Sequence, residues 1–372
     1  MNIILFYHSL LSDWNHGNAH FLRGVATELI ARGNTVKIYE PLNGWSFQNL
    51  LKDAGEQAIE EFYNYYPNLD SEQFDPSNTP LDTILCDADL VIVHEWNDHT
   101  LVKSIGEKRK KIPFKLLFHD THHRTITDKK TMSKYDLSNY DGVLAYGKVI
   151  ENIYIKEQWA KKAWTWHEAA DTRIFQPIVA DKCDGDLIWI GNWGDDERTK
   201  ELVSFLIEPV KTLGLKAKVY GVRYPEHAIK ALADAGISYG GWLPNFKVPE
   251  VFSRYRFTAH IPRQPYVQSL PGIPTIRPFE AMACGIALLS SPWNDTEHLF
   301  TAGKDFLFAG NKEQMIRRMQ QLMQDDQLVD DLTQHALTTI HERHTCAHRV
   351  DELYTICETL GVKNLNHQKA FL

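Results

Sequence analysis

Residues Gly272 to Ser291 read G-I-P-T-I-R-P-F-E-A-M-A-C-G-I-A-L-L-S-S. Pro278-Phe279-Glu280 is expected to open a short helix, with Ala281 to Cys284 as small or apolar packing residues. Gly285 stands where a left-handed C-cap is wanted. Ile286 to Leu289 is then long enough for a buried parallel strand. Ahead of the helix, Pro271-Gly272-Ile273-Pro274 keeps the backbone irregular. A helix N-terminus offers unpaired N–H groups and partial positive charge, so it suits an anion. Arg277 adds a full charge there, and Glu280, one turn inside, can accept from neutral hydroxyls such as a ribose diol. Together these residues describe a nucleoside-diphosphate site. The same residues also read as a plain capped αβ unit, with Glu280 a dipole contact and Arg277 a solvated charge.

Working outward, the rear half repeats one arrangement of strand, turn and helix. Leu187 to Ile190 is a strand, and Gly191-Asn192-Trp193-Gly194 follows with glycines that let a backbone approach closely. The acidic triplet Asp195 to Glu197 starts a helix running from about Arg198 to Leu213, where Arg198 or Lys200 can reach a phosphate. Strands are expected at Lys216–Tyr220 and Phe257–Ile261, the latter leading through Pro262-Arg263 into the opening stretch. Asp305 to Phe308 is a short strand, and helices follow over 313–323, 327–344 and 345–360 before a frayed tail.

The front half opens in the same way. Ile3 to Tyr7 is a strand, and His8 to Gly17 is a polar loop. Asn18 or His16 caps a helix reaching Ala31-Arg32, and Val36 to Glu40 is the second strand. Such a βαβ opening places a ligand at the carboxyl edge of its first strand. No G-x-G-x-x-G is present. Residues 43–81 are rich in aromatics, expected mainly in the core, with a helix within Leu50–Tyr66 and a loop over Pro67–Pro80. Asp89 to Glu95 and Phe114 to Phe118 are further strands, the second ending in His119-Asp120-Thr121-His122-His123. Polar groups at such a strand end point toward a ligand crevice, so His119 and Asp120 are candidate substrate contacts. The residues lack the fourth group that a structural metal site needs, and no metal is expected. Gly142 to Tyr146 is a fifth strand and Val149 to Trp159 a helix.

Composition narrows the class. The 372 residues suggest about two domains, and 43% hydrophobic with 24% charged residues is ordinary for a globular protein. A net charge of −8 argues against a nucleic-acid surface. Five scattered cysteines without C-x-x-C suggest reduced thiols and a cytoplasmic setting. No signal peptide or spanning segment is expected, since the chain begins with a strand and no apolar run approaches 18 residues.

Several segments together resemble GT-B glycosyltransferases of the retaining, nucleotide-sugar-dependent kind, most closely the CgeB-like group. His16-Gly17-Asn18 with the helix to Gly33 resembles the family's glycine loop, and Phe118-His119-Asp120 its fourth-strand end. Ala169 to Pro177 is similar to its interdomain joint, and Arg277 to Gly285 to its donor-site helix. The resemblance implies an α/β fold of two Rossmann-like parallel-sheet domains facing across a cleft. It implies domains at 1–170 and 178–345, a joint at 171–177, and a terminal helix and tail at 346–372 crossing back to the first domain. It implies transfer of a sugar from a nucleotide-sugar donor to a small-molecule, glycan or protein acceptor, with no cofactor. Glu280 would hold the ribose, Gly17 and Asn18 would face the diphosphate or sugar, and His119 would lie near the reacting carbon. Arg198 and Arg277 would neutralise the leaving group. Gly191, Asn192, Arg263, Gly272, Ile273 and Phe279 complete the expected donor site. The family often has a second Glu where Gly272 stands, and the loop N–H groups around it would then take over. Should the reaction invert, Asp120 or His119 is the base. A catalytically impaired binding protein and a sugar-nucleotide epimerase are the alternatives.

Overall fold

Each apolar run found in the sequence is a parallel strand in the computed structural model, which describes residues 1–75, 78–194, 197–362 and 365. Asp195 and Asp196 of the acidic triplet, and most of the expected tail, lie outside the described residues. The chain divides into two compact units, residues 1–168 with 346–372, and residues 169–345.

The first unit is built on seven strands: β1 (Asn2–Phe6), β2 (Thr35–Pro41), β3 (Glu72–Phe74), β4 (Leu90–His94), β5 (Lys115–Asp120), β6 (Gly142–Ala145) and β7 (Ala163–Thr165). Their spatial order is 3-2-1-4-5-6-7, all parallel. The central strands are buried from end to end, as a sheet with helices on both faces requires. The helix Ala19–Ala31 packs on the terminal helix Cys346–Thr359. Arg32 joins them, bonding Asp351 at 2.6 Å and the Ala347 carbonyl at 3.0 Å. The stretch Leu50–Tyr66 contains the helix Gln57–Tyr65 and the end of another, Trp45–Ala54, parted where Gly55 turns to a left-handed φ of 70°. Of the aromatics there, Phe62, Tyr66 and Phe74 are core, while Trp45 is exposed.

The second unit holds β8 (Gly185–Ile190), β9 (Ala217–Tyr220), β10 (Ser238–Tyr239), β11 (Tyr255–His260), β12 (Ala287–Ser290) and β13 (Leu307–Phe308). Their order is 10-9-8-11-12-13, again parallel. Counted from its own first strand this is 3-2-1-4-5-6, the dinucleotide-fold order. The strand order of each sheet therefore reverses once, at β1/β4 and at β8/β11, and in open α/β sheets ligands bind at the carboxyl ends of such strands. The helix Thr199–Leu213 has a π-helical turn at Val203–Ile207 just before Pro209. Proline has no N–H to give to the preceding turn, which a wider turn accommodates.

Candidate active site

In the second unit the strand order reverses between β8 and β11, and their ends lie side by side. Arg198 spans them: its guanidinium donates to the carbonyls of Ile261 (3.1 Å), Trp193 (3.4 Å) and Asn192, and stacks on Trp189 at 5.1 Å. Burial, with Arg263 and Arg277 nearby, lowers its pKa to about 9. Gly194 has φ 82°, and a Cβ there would come within 3.0 Å of Arg198 Nε and 3.2 Å of Arg263 Nε. Arg263 meets Glu197 at 3.1 Å and keeps some exposure. His260, at the end of β11, donates to or accepts from Ser290 Oγ at 3.0 Å. Burial first, then Arg198 and Arg277, pushes its pKa down to about 3. Three arginines and an uncharged histidine thus share one strand-end region, a concentration of positive charge suited to a diphosphate.

The helix Ile276–Ala283 follows. Thr275 sits at its N-cap without a side-chain cap bond, so its own hydroxyl leaves the first N–H groups uncapped. Pro278 is the third helical residue, where a missing N–H costs nothing. Arg277 and Glu280 form an ion pair one turn apart, and the Glu280 carboxylate is fully buried. At the other end Gly285 N–H bonds Met282 O and Ile286 N–H bonds Ala281 O, both at 3.2 Å, with Gly285 at φ 66°. This pairing is the Schellman motif.

In the first unit the ends of β1, β4 and β5 gather four histidines from three distant places in the chain. His8 stacks on His94 at 5.1 Å and meets His16 edge-on at 4.0 Å. His94 meets His119 at 5.4 Å, and His119 lies against Trp166 at 4.9 Å. Burial lowers all four, His8 and His119 to about 3, so these rings are neutral. His8 Nδ1, His16 Nε2 and both His119 nitrogens have no bonding partner. The loop carrying His8 and His16 is fastened from behind. Arg23 donates to the carbonyls of Leu10 (2.8 Å) and Leu11 (3.0 Å) and to Asp13 (3.0 Å), while Glu40 accepts from the Leu10 and Leu11 amides. Among the described residues no three His, Cys, Asp or Glu side chains form a set able to hold a metal ion.

Residues 198–355 match the model of a family described as glycosyl transferase-like. Solved structures match over nearly the whole chain. An Anabaena protein, HepE, solved with UDP, is 14% identical, with 97% of this chain and 100% of that one covered and a TM-score of 0.67. A Rickettsia africae glycosyltransferase is 11% identical, with 98% and 99% covered and a TM-score of 0.68. An alpha-glucosyltransferase solved with UDP and a 13-mer DNA is 13% identical, with 96% and 99% covered and a TM-score of 0.68. The fold is that of GT-B glycosyltransferases. No curated protein matches the chain.

Within the GT-B fold the expected site residues separate into groups. Arg198, Arg263 and Arg277 are brought together, but Arg198 is a clamp on carbonyls rather than a free phosphate ligand. Gly191 and Asn192 are likewise committed. The Gly191 carbonyl accepts from Tyr224 OH at 2.8 Å, and a Cβ there would strike Trp189 at 2.9 Å; Asn192 Oδ1 accepts from the Val222 amide at 2.8 Å. The expected N–H groups of the preceding loop are also taken up, Gly272 by Asn294 O (2.7 Å) and Ile273 by Leu270 O (3.3 Å). Gly272 has φ 88°, and Glu297 lies where its side chain would be, 2.6 Å from the Cβ position. Phe279 packs on Phe300 and His344 in the core. The buried carboxylate of Asp120 accepts from Thr125 Oγ, Tyr154 OH (2.8 Å) and the His122 amide (3.1 Å). Asn18 occupies the N-cap position but gives no cap bond; its Nδ2 donates to Thr121 Oγ at 2.6 Å. Gly17 is exposed beside it. His8, His94 and His260 were missed. Each ends a strand or follows one closely, and that position was the signal.

Proposed function

We propose that the chain is a glycosyltransferase that moves a sugar from a nucleoside-diphosphate sugar to an acceptor hydroxyl, with retention and without a metal ion. We assign it to the CgeB-like group, on the resemblance of Arg277 to Gly285. The observation that carries this reading is the convergence of Arg198, Arg263 and Arg277 at the β8/β11 strand ends, next to a helix bearing Glu280. UDP is the first nucleotide to try, because HepE and the alpha-glucosyltransferase were solved with it.

In this mechanism Arg263, Arg277 and the N–H groups opening the helix Ile276–Ala283 bind the diphosphate. Arg198 holds the strand ends that carry them. Glu280 accepts from the ribose hydroxyls and shares its carboxylate with Arg277. The bond from the anomeric carbon to the diphosphate oxygen breaks, and its electron pair stays on that oxygen, where the arginines meet the growing charge. The acceptor oxygen bonds to the anomeric carbon, and its proton passes to the departing phosphate.

The test is release of nucleoside diphosphate from a panel of UDP-, GDP- and ADP-sugars, with acceptor extract and with chelator. One nucleotide series is expected to turn over, chelator is expected to leave the rate intact, and Arg263→Met to lower it. Binding without turnover would favour a catalytically impaired binding protein, and sugar isomerisation without acceptor would favour an epimerase.

A further inference from the structure

We propose that the carboxyl ends of β1, β4 and β5 form a binding site for a neutral saccharide acceptor, with Trp96 as its stacking face. This deepens the transferase reading by naming the acceptor class, and rests on it for the word acceptor. Trp96 directly follows β4 and its neighbour Glu95, and its indole is 42% exposed. Arg124 lies on the ring at 3.9 Å and is itself held by Glu95. His8 stands 6.0 Å from the indole and His122 5.2 Å. A large ring fixed by an ion pair and left partly open is unusual for core packing. It is suited to the apolar C–H face of a sugar ring.

The polar groups around it specify the rest. A neutral imidazole carries one donor and one acceptor, the same complement as an alcohol. His16 Nε2 and both nitrogens of His119 are buried without partners, as is His8 Nδ1. Phosphate and carboxylate ligands only accept and ask for positive charge. Among the described residues the guanidiniums beside these rings are already paired, Arg124 with Glu95 and Arg23 with Asp13, and Asp120 lies close by. Several unpaired donor–acceptor groups, no spare cation and one exposed indole together fit an uncharged polyhydroxylated ring. A nucleic-acid acceptor could also stack on Trp96, but its backbone needs cations, and the chain carries a net charge of −8.

The test uses the whole protein and follows the Trp96 indole N–H resonance, assigned by its loss in Trp96→Ala. Probes are the methyl glycosides of glucose, galactose and mannose, the disaccharides maltose and sucrose, and a 13-mer DNA duplex. At least one saccharide is expected to shift that resonance in the millimolar range. Followed by calorimetric titration, which needs no Trp96 signal, His16→Phe and Trp96→Ala are each expected to weaken its binding about tenfold, as loss of a stacking face or a hydrogen bond does. Both variants should keep the thermal stabilisation that nucleoside diphosphate gives, which shows that they are folded and separates this site from the nucleotide site. No shift with any saccharide, a shift with DNA alone, or unchanged saccharide affinity in both variants would overturn the proposal.

Discussion

Arg198 and Arg263 are two arginines of one cluster with opposite tasks. Arg198 is buried and holds three carbonyls at the strand ends, so Arg198→Met leaves acceptors without donors. Unfolding in urea should show a loss of about 3 kcal/mol, and unchanged stability would mean that the clamp is not structural. Arg263 meets Glu197 near the surface, and Arg263→Met should change stability by only about 0.5 kcal/mol while weakening nucleotide binding. From sequence Arg198 reads as a phosphate ligand and Arg263 as part of the donor site, because charge is visible there and burial is not. Gly272 shows the same limit. Its left-handed φ and the Glu297 side chain over it make Gly272→Ala costly by about 1–3 kcal/mol, which thermal unfolding would register.

The helix Ile276–Ala283 was legible because a C-terminal glycine and a following apolar run are local signals. Its start was less so: Pro278 read as the opening, yet the helix begins two residues earlier. Gly285→Ala should cost about 1–2 kcal/mol, since a Cβ at φ 66° would also press on Leu337 and Pro177 at 3.3 Å; a neutral result would show that the cap is dispensable. The break at Gly55 and the short edge strands β3 and β10 were missed, as few residues carry each signal. The histidine nest was illegible for another reason. His8, His16, His94 and His119 are separated by up to 111 positions and meet only through the sheet order 1-4-5.

Across the molecule, the two sheets repeat one strand order, and each carries its unusual side chains where that order reverses. The buried histidines couple this arrangement to pH. His8, His119 and His260 have native values near 3, and His16 and His94 are also lowered. The unfolded chain therefore binds more protons below about pH 6.5, and stability falls as acid is added. His8, His119 and His260 each contribute a loss of about 2 kcal/mol between pH 7 and 5. Glu95, raised to about 8 by burial, works in the opposite sense and offsets about one of them. The melting temperature should fall clearly from pH 7 to 5; a flat profile would show that the rings are not buried neutral.

The central claim is that the strand ends of the second sheet grip a nucleoside diphosphate, with Glu280 on its ribose. Calorimetric titration of the intact protein with UDP, GDP and ADP tests it most directly. One nucleotide should bind, and Arg263→Met and Glu280→Gln should each weaken it by about tenfold or more with the fold retained. Equal affinity in wild type and both variants, or no binding by any of the three, would contradict the account.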